Sequence, residues 1–171
     1  AQRSKDPNSQ DMREVSRIMK YVKGTRDFGI CFDGSLDVLV HCDADGQEDE
    51  ESRRPRIGFV LMLGSSPIYW KSTLGGLVTL STAESELIAV VETLKMLLHQ
   101  CDILRFIGME LPDPVTLHSD NQAAIFMALD SAAFKRTKHF DIRHKFTLQH
   151  CVGAGKAFDI KHVRSEANRA D

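Results

Sequence analysis

The chain has 171 residues, 22 Lys+Arg against 24 Asp+Glu, a formal net charge of −2, and 42% hydrophobic and 27% charged residues. That length and usage fit one folded domain, or one domain with a fragment of a neighbour. They exclude a uniformly basic nucleic-acid coat and an acidic disordered tail. No apolar run approaches the roughly 18 residues of a membrane span, so no membrane partner is expected. The N-terminal AQRSKDPNSQ is polar and lacks the apolar centre of a signal peptide. Four cysteines stand singly at 31, 42, 101 and 151, with no C-x-x-C pair. This argues against a zinc site or a disulfide-stapled scaffold, and for reduced thiols inside a cell.

In chain order, Val15, Ile18, Met19 and Val22 fall at helical spacing and predict a short helix over residues 11–23, closed by Gly24. Residues 28–32 and 36–42 read as two strands joined by Asp33-Gly34, a hairpin signal. Residues 57–63 and 67–71 follow as strands around a Gly64-Ser65-Ser66 turn. The strongest helix is 82–107, with an apolar stripe of Leu87, Ile88, Val91, Leu94 and Leu98 widened by Val90, Leu97 and Cys101. Its start, Ser81-Thr82-Ala83-Glu84, reads as a capping box. A short strand at 114–118 runs into Ser119-Asp120-Asn121-Gln122, followed by a helix from 123 to about 129. A basic turn occupies 135–139, a helix capped by Asp141 runs to about Cys151, a strand covers 157–163, and a last helix begins at Glu166. A strand meander followed by crossovers implies an α/β fold with a mixed sheet and helices packed on its faces.

Charge is uneven along this frame. Six of the nine residues from 43 to 51 are acidic and none is basic, whereas 131–170 carries nine bases and three acids. An acidic focus beside a basic half suits a protein that holds cations near a polyanion. Asp43, Glu84 and Asp120 are expected at the ends of elements, and Asp171 near the start of the last helix. Each could be merely a capping or solvated acid. Gathered at the carboxyl ends of neighbouring strands they would repel one another unless cations lay between them, and hard oxygen ligands of this kind suit Mg²⁺ or Mn²⁺.

The segments YVKGTRDFGICFDG, HCDAD, SRRPRIGFVLMLGSSPIYWKST, TLSTAESELIAVVE, VTLHSDNQAAI and KRTKHFDIRHKF resemble the ribonuclease H domain of Ty1/copia-type retrotransposon polyproteins, from about residue 20 to 171. The resemblance implies a ribonuclease H-like fold: a mixed five-stranded sheet with helices on both faces. It assigns residues 1–24 to the tail of the preceding polymerase or connection segment and 25–171 to the ribonuclease H-like domain, cut within its last helix. By matched motif it implies Asp43, Glu84, Asp120 and Asp171 as catalytic acids and ligands of two Mg²⁺ ions, with Mn²⁺ able to substitute and Asp43 bridging both. The implied reaction is endonucleolytic hydrolysis of the RNA strand of RNA–DNA hybrids during reverse transcription, leaving 5′ phosphate and 3′ hydroxyl ends. The implied partners are the hybrid, contacted through Lys135, Arg136 and Lys138, and the reverse transcriptase of the same polyprotein. The implied setting is intracellular, in a cytoplasmic virus-like particle.

The chain departs from the family pattern beside the first acid. D-A-D continues as Gly46-Gln47-Glu48-Asp49 where W-A-G-D is usual, and Pro55-Arg56-Ile57 replaces a serine/threonine-rich run. These changes keep open an alternative from another class, a catalytically silent module or remnant that binds the template duplex. A strand-transfer enzyme on the same fold is disfavoured, because the integrase-type zinc-binding H/C arrangement is absent. His162 falls in a predicted strand and receives no catalytic role. His139 and His144 do not share a helix face, which argues against a metal site there. Trp70 is expected in the core rather than as a base-stacking platform, and Cys42 and Cys101 as packing residues.

Overall fold

The computed structural model describes residues 6–45, 54–79, 81–130 and 138–171. The chain divides into two compact units, Ala1–Cys31 and Phe32–Asp171. The first is built on helix α1 (Ser9–Gly24). The Asn8 side chain accepts the Gln10 and Asp11 N–H groups at 2.8 and 3.0 Å, and the Asp11 carboxylate accepts the Asn8 N–H at 2.8 Å. This reciprocal box starts the helix two residues before the apolar periodicity does. None of its residues is buried, Val15, Ile18, Met19 and Val22 included.

The second unit holds β1 (Val38–Asp45), β2 (Arg56–Leu63), β3 (Ser66–Leu74), α2 (Thr82–Phe106), β4 (Val115–Ser119), α3 (Gln122–Leu129), α4 (Lys138–Cys151) and β5 (Phe158–His162). The sheet order is β3-β2-β1-β4-β5. β1 pairs antiparallel with β2 and parallel with β4, and β4 pairs parallel with β5. This is the mixed five-stranded sheet that the family resemblance implies.

Two expected elements are absent. Residues 28–32 form no strand, and Phe28, Ile30 and Phe32 are exposed. β1 already uses both edges, on β2 and β4, so no edge remains for a hairpin mate. The Asp33-Gly34 turn serves otherwise. The Asp33 carboxylate accepts the N–H groups of Ser35 and Ser65 at 2.9 and 3.2 Å, which holds its pKa below the usual carboxylate value. Gly64 faces it in a left-handed conformation (φ 58°), where a Cβ would lie 2.5 Å from Asp33 Oδ1. At the other end, the helix expected from Glu166 is a single 3₁₀ turn, Ser165–Ala167, ended by Asn168 in an extended conformation.

Strand alternation sends Val38, Val40 and Cys42 of β1, Val115 and Leu117 of β4, and Phe158 and Ile160 of β5 to one face. There they meet Leu87, Val90, Val91, Leu94 and Leu97 of α2, Ala128 of α3 and Cys151 of α4 in one cluster. Each such fully buried aliphatic side chain stabilises the fold by about 1.5–3 kcal/mol over its exposed state. Cys42 and Cys101 are buried, as expected. Trp70 is not: it lies on edge strand β3 and is 62% exposed, in the middle of the strand where Lys71 and Ser72 are exposed as well. The opposite face of β1 carries Leu39, His41 and Asp43, and the stretch from Asn168 to Ala170 meets the Cys42 backbone carbonyl of β1 and Gly58 of β2.

Candidate active site

β1 runs three residues past its expected end, so Asp43 lies within the strand, paired with Gly58 of β2, rather than after it. Asp120 directly follows β4. It is not a helix cap, since the Asn121 side chain accepts the Ala124 N–H at 3.0 Å and caps α3. The Asp120 carboxylate is thus available, and the Ser165 hydroxyl donates to its Oδ2 at 2.6 Å. His162 Nε2 lies 3.1 Å from the Asp120 carbonyl oxygen.

The carboxylate that completes the group comes from α2, and it is Glu86. Oxygens of Asp43, Glu86 and Asp120 lie within 4.8 Å of one another. Glu84, the acid expected here, is not part of that cluster. Its N–H donates to the Ser81 hydroxyl at 3.2 Å, in the first turn of α2. Two residues along a helix turn a side chain by about 200°, so Glu84 and Glu86 point to nearly opposite sides. The signal for Glu86 was present in the sequence. Residues 86, 90, 93, 97, 101 and 104 follow helical spacing, and all are buried. Glu86 is the polar head of the core stripe itself.

Burial and mutual repulsion mark this group. Glu86 is 7% exposed, and its pKa is pushed up to about 8 by burial and then by the charges of Asp43 and Asp120, partly offset by the Ala44 backbone N–H. Its Oε2 is buried without a hydrogen-bond partner among the described residues. Asp43 is raised too, by burial first, then by Asp120 and Asp171. Asp171 is exposed and outside the tight cluster, yet near enough for its charge to act on Asp43. Below the carboxylates, His41 and His118 stack with ring centroids 5.0 Å apart. Burial is the main cause that lowers both, His41 to about 4, so the charged form of each ring is disfavoured beside the acids.

Of the residues expected on nucleic acid, Lys135 and Arg136 lie outside the described residues; Lys138 opens α4. The departure at residues 46–49 also lies outside them. The second departure is structural: Pro55 and Ile57 are buried, and the Pro55 carbonyl accepts the Gly75 N–H at 2.7 Å. The basic residue between them, Arg56, opens β2.

No protein-family model matches the chain. Over 167 residues, 97% of its length, it is 33% identical to the retrovirus-related Pol polyprotein from transposon TNT 1-94 of Nicotiana tabacum. Over 96% of its length it is 28% identical to the Pol polyprotein from transposon RE1 of Arabidopsis thaliana. Among solved structures, LC11-RNase H1, isolated from compost by a metagenomic approach, superposes with a TM-score of 0.55 at 17% identity, covering 80% of this chain and 91% of that one. The chain has a ribonuclease H-like fold and is similar in sequence to transposon Pol polyproteins. The likeness to LC11-RNase H1 establishes the ribonuclease H fold, and the Pol relatives are of the Ty1/copia type. The chain spans only 12% and 11% of the two Pol relatives' own lengths. Among the described residues no helix is long and apolar enough to cross a membrane.

Proposed function

We propose that this ribonuclease H-like chain is a divalent-metal-dependent endoribonuclease that cleaves the RNA strand of RNA–DNA hybrids. Asp43, Glu86 and Asp120 would be its central ligands, with Asp171 as the fourth carboxylate. The observation that carries the reading is the convergence of three carboxylates from β1, α2 and β4, one of them buried with an unpartnered oxygen. That donor set fits a hard cation. It offers oxygens only, and Glu86 and Asp43 resist ionising together until positive charge arrives. Mg²⁺ is the ion of choice for such ligands, with Mn²⁺ able to replace it. When bound, a pair of such ions activates the attacking water and stabilises charge on the leaving 3′ oxygen.

The chain's own residues supply the frame. Asp43 is held in β1 by its pairing with Gly58 of β2, Glu86 is fixed by the buried stripe of α2, and Asp120 is oriented by the Ser165 hydroxyl. Burial disfavours the charged forms of both His41 and His118, so these two stacked rings do little to neutralise the carboxylates. The Pol relatives support the reverse transcriptase of the same polyprotein as the partner that presents the hybrid. Residues 1–24 would then be the tail of the segment joining it to the nuclease.

The test is cleavage of an end-labelled RNA–DNA hybrid with Mg²⁺ or Mn²⁺, with Asp43→Asn as control. RNA-strand cuts ending in 3′ hydroxyl from the parent, and none from the variant, are expected. Intact hybrid binding without cleavage under either metal would overturn the proposal in favour of a silent duplex-binding module.

A further inference from the structure

Asp171 follows a 3₁₀ turn and three residues of irregular chain, on a stretch that is otherwise mostly exposed. Within that stretch Asn168 is the exception, buried at 7% exposure. Its Nδ2 donates to the carbonyl of Cys42, the residue before Asp43, at 3.1 Å, across 126 positions of sequence. Its Oδ1 accepts the N–H of Ala170 at 3.3 Å, and its own N–H donates to the Ser165 carbonyl at 2.9 Å. One side chain thus joins the end of β1 to the backbone that carries Asp171. The β1–β4 pairing ends at His41↔His118, so the Cys42 carbonyl lies beyond the last paired rung and needs a donor from elsewhere.

A second contact lies on β2. Gly58 is the register partner of Asp43, and a Cβ at that position would meet the Ala170 carbonyl oxygen at 3.0 Å. Glycine is not needed there for a left-handed conformation, since positive φ angles occur elsewhere. It is needed for the close approach of the chain just before Asp171.

We propose that Asn168 and Gly58 form a seat that holds Asp171 beside Asp43, which makes Asn168 a positioning residue for the fourth carboxylate. The rise in Asp43 caused by Asp171 agrees with that placement. The seat explains how a carboxylate on an exposed stretch reaches a centre carried by the sheet: a buried amide clamps the chain on β1, and a missing side chain admits it on β2. The role assigned to Asp171 rests on the metal-binding reading above.

The experiment is Mn²⁺ titration by calorimetry of the 171-residue chain and of Asn168→Ala, Gly58→Ala, Asp171→Asn and the Asn168→Ala/Asp171→Asn double variant. Amide hydrogen exchange in EDTA follows residues 168–171 in each. Asn168→Ala and Gly58→Ala should each weaken Mn²⁺ binding about 10- to 100-fold, the usual cost of losing a residue that orients a ligand. Both should speed exchange at 168–171. The double variant should bind no more weakly than Asp171→Asn alone, because the seat acts only through Asp171. Parent-like affinity in both seat variants, or additive losses in the double variant, would overturn the proposal. Should Asn168→Ala fail to fold, Gly58→Ala decides, because its effect arises from a surface approach rather than a buried hydrogen bond. A parent that binds no Mn²⁺ would overturn the metal reading and with it the role of the seat, whereas faster exchange in the variants would still register the clamp.

Discussion

The acids of the site are carried in two different ways. Asp43, Glu86 and Asp120 stand on β1, α2 and the end of β4, whose nearby side chains Cys42, Val90 and Leu117 are fully buried and belong to the common core. Asp171 stands on a stretch whose only buried residue is Asn168 and whose regular structure is one 3₁₀ turn. Displacing the first three means disturbing packed aliphatic layers, at about 2–5 kcal/mol per truncated large residue. The stretch before Asp171 meets the domain, among the described residues, through one or two hydrogen bonds of Asn168, each worth about 0.5–1.5 kcal/mol. Among the described residues, three of the carboxylates thus stand on elements packed in the core, and the fourth on a stretch that meets the sheet through Asn168 and Gly58.

The sharpest way to break this comparison is within α2. Glu86→Gln is expected to abolish hybrid cleavage and weaken Mn²⁺ binding by more than the roughly 100-fold upper range for orienting residues. Glu84→Gln should stay within about 2-fold of the parent, the scale of a substitution away from the site. Equal losses in the two variants, read by the same titration, would return Glu84 to the centre. Asp43→Asn and Asp120→Asn should match Glu86→Gln in lost cleavage.

The next effect is on pH. The native Glu86 holds its proton up to about pH 8, well above its unfolded value of 4.5. The native state therefore binds more protons than the unfolded state between those values, and stability without metal falls as pH rises through that window. Thermal melts in EDTA should show Glu86→Gln gaining on the parent from pH 5 to 9; a constant difference across that range would refute the assignment. Because a cation must displace the same proton, Mn²⁺ affinity should climb with pH by up to about 10-fold per unit below 8 and then level off. A flat profile from pH 6 to 8 would mean that Glu86 is not a ligand.

The smallest effect is expected at Ser165. Its hydroxyl orients one oxygen of Asp120, whose backbone is already fixed between β4 and the capped start of α3. Ser165→Ala should cost no more than about 10-fold in Mn²⁺ affinity, the lower end of the range for such partners. A loss as large as that of Glu86→Gln would mean that Asp120 too depends on the C-terminal stretch, and the contrast between the two supports would collapse.

Much of the frame was legible without coordinates. The strands from residue 38 to 74, the long helix from Thr82 and the strand leading to Asp120 follow from period-two and helical apolar spacing, because those patterns state directly which side of each element meets the core. The motifs also point to Asp43, Asp120 and Asp171. The failures share one cause. Residues 28–32 have the composition of a strand, but a strand exists only where an edge is open, and β1 has none to spare. Trp70 has the chemistry of a core residue, but lies on an edge strand. Glu84 sits in a recognisable capping pattern, while Glu86, two residues on, lies in phase with the buried stripe.

By itself, then, the sequence determined the kind of fold and the strings in which the acids occur, since both are written in local periodicity and local motif. Only the tertiary structure decided which glutamate faces the two aspartates, that Asp120 is free of capping duty, and that Asn168 and Gly58 receive the chain before Asp171. Those are relations between residues up to 126 positions apart, and they arise from how strands share edges and how one side chain reaches another's backbone.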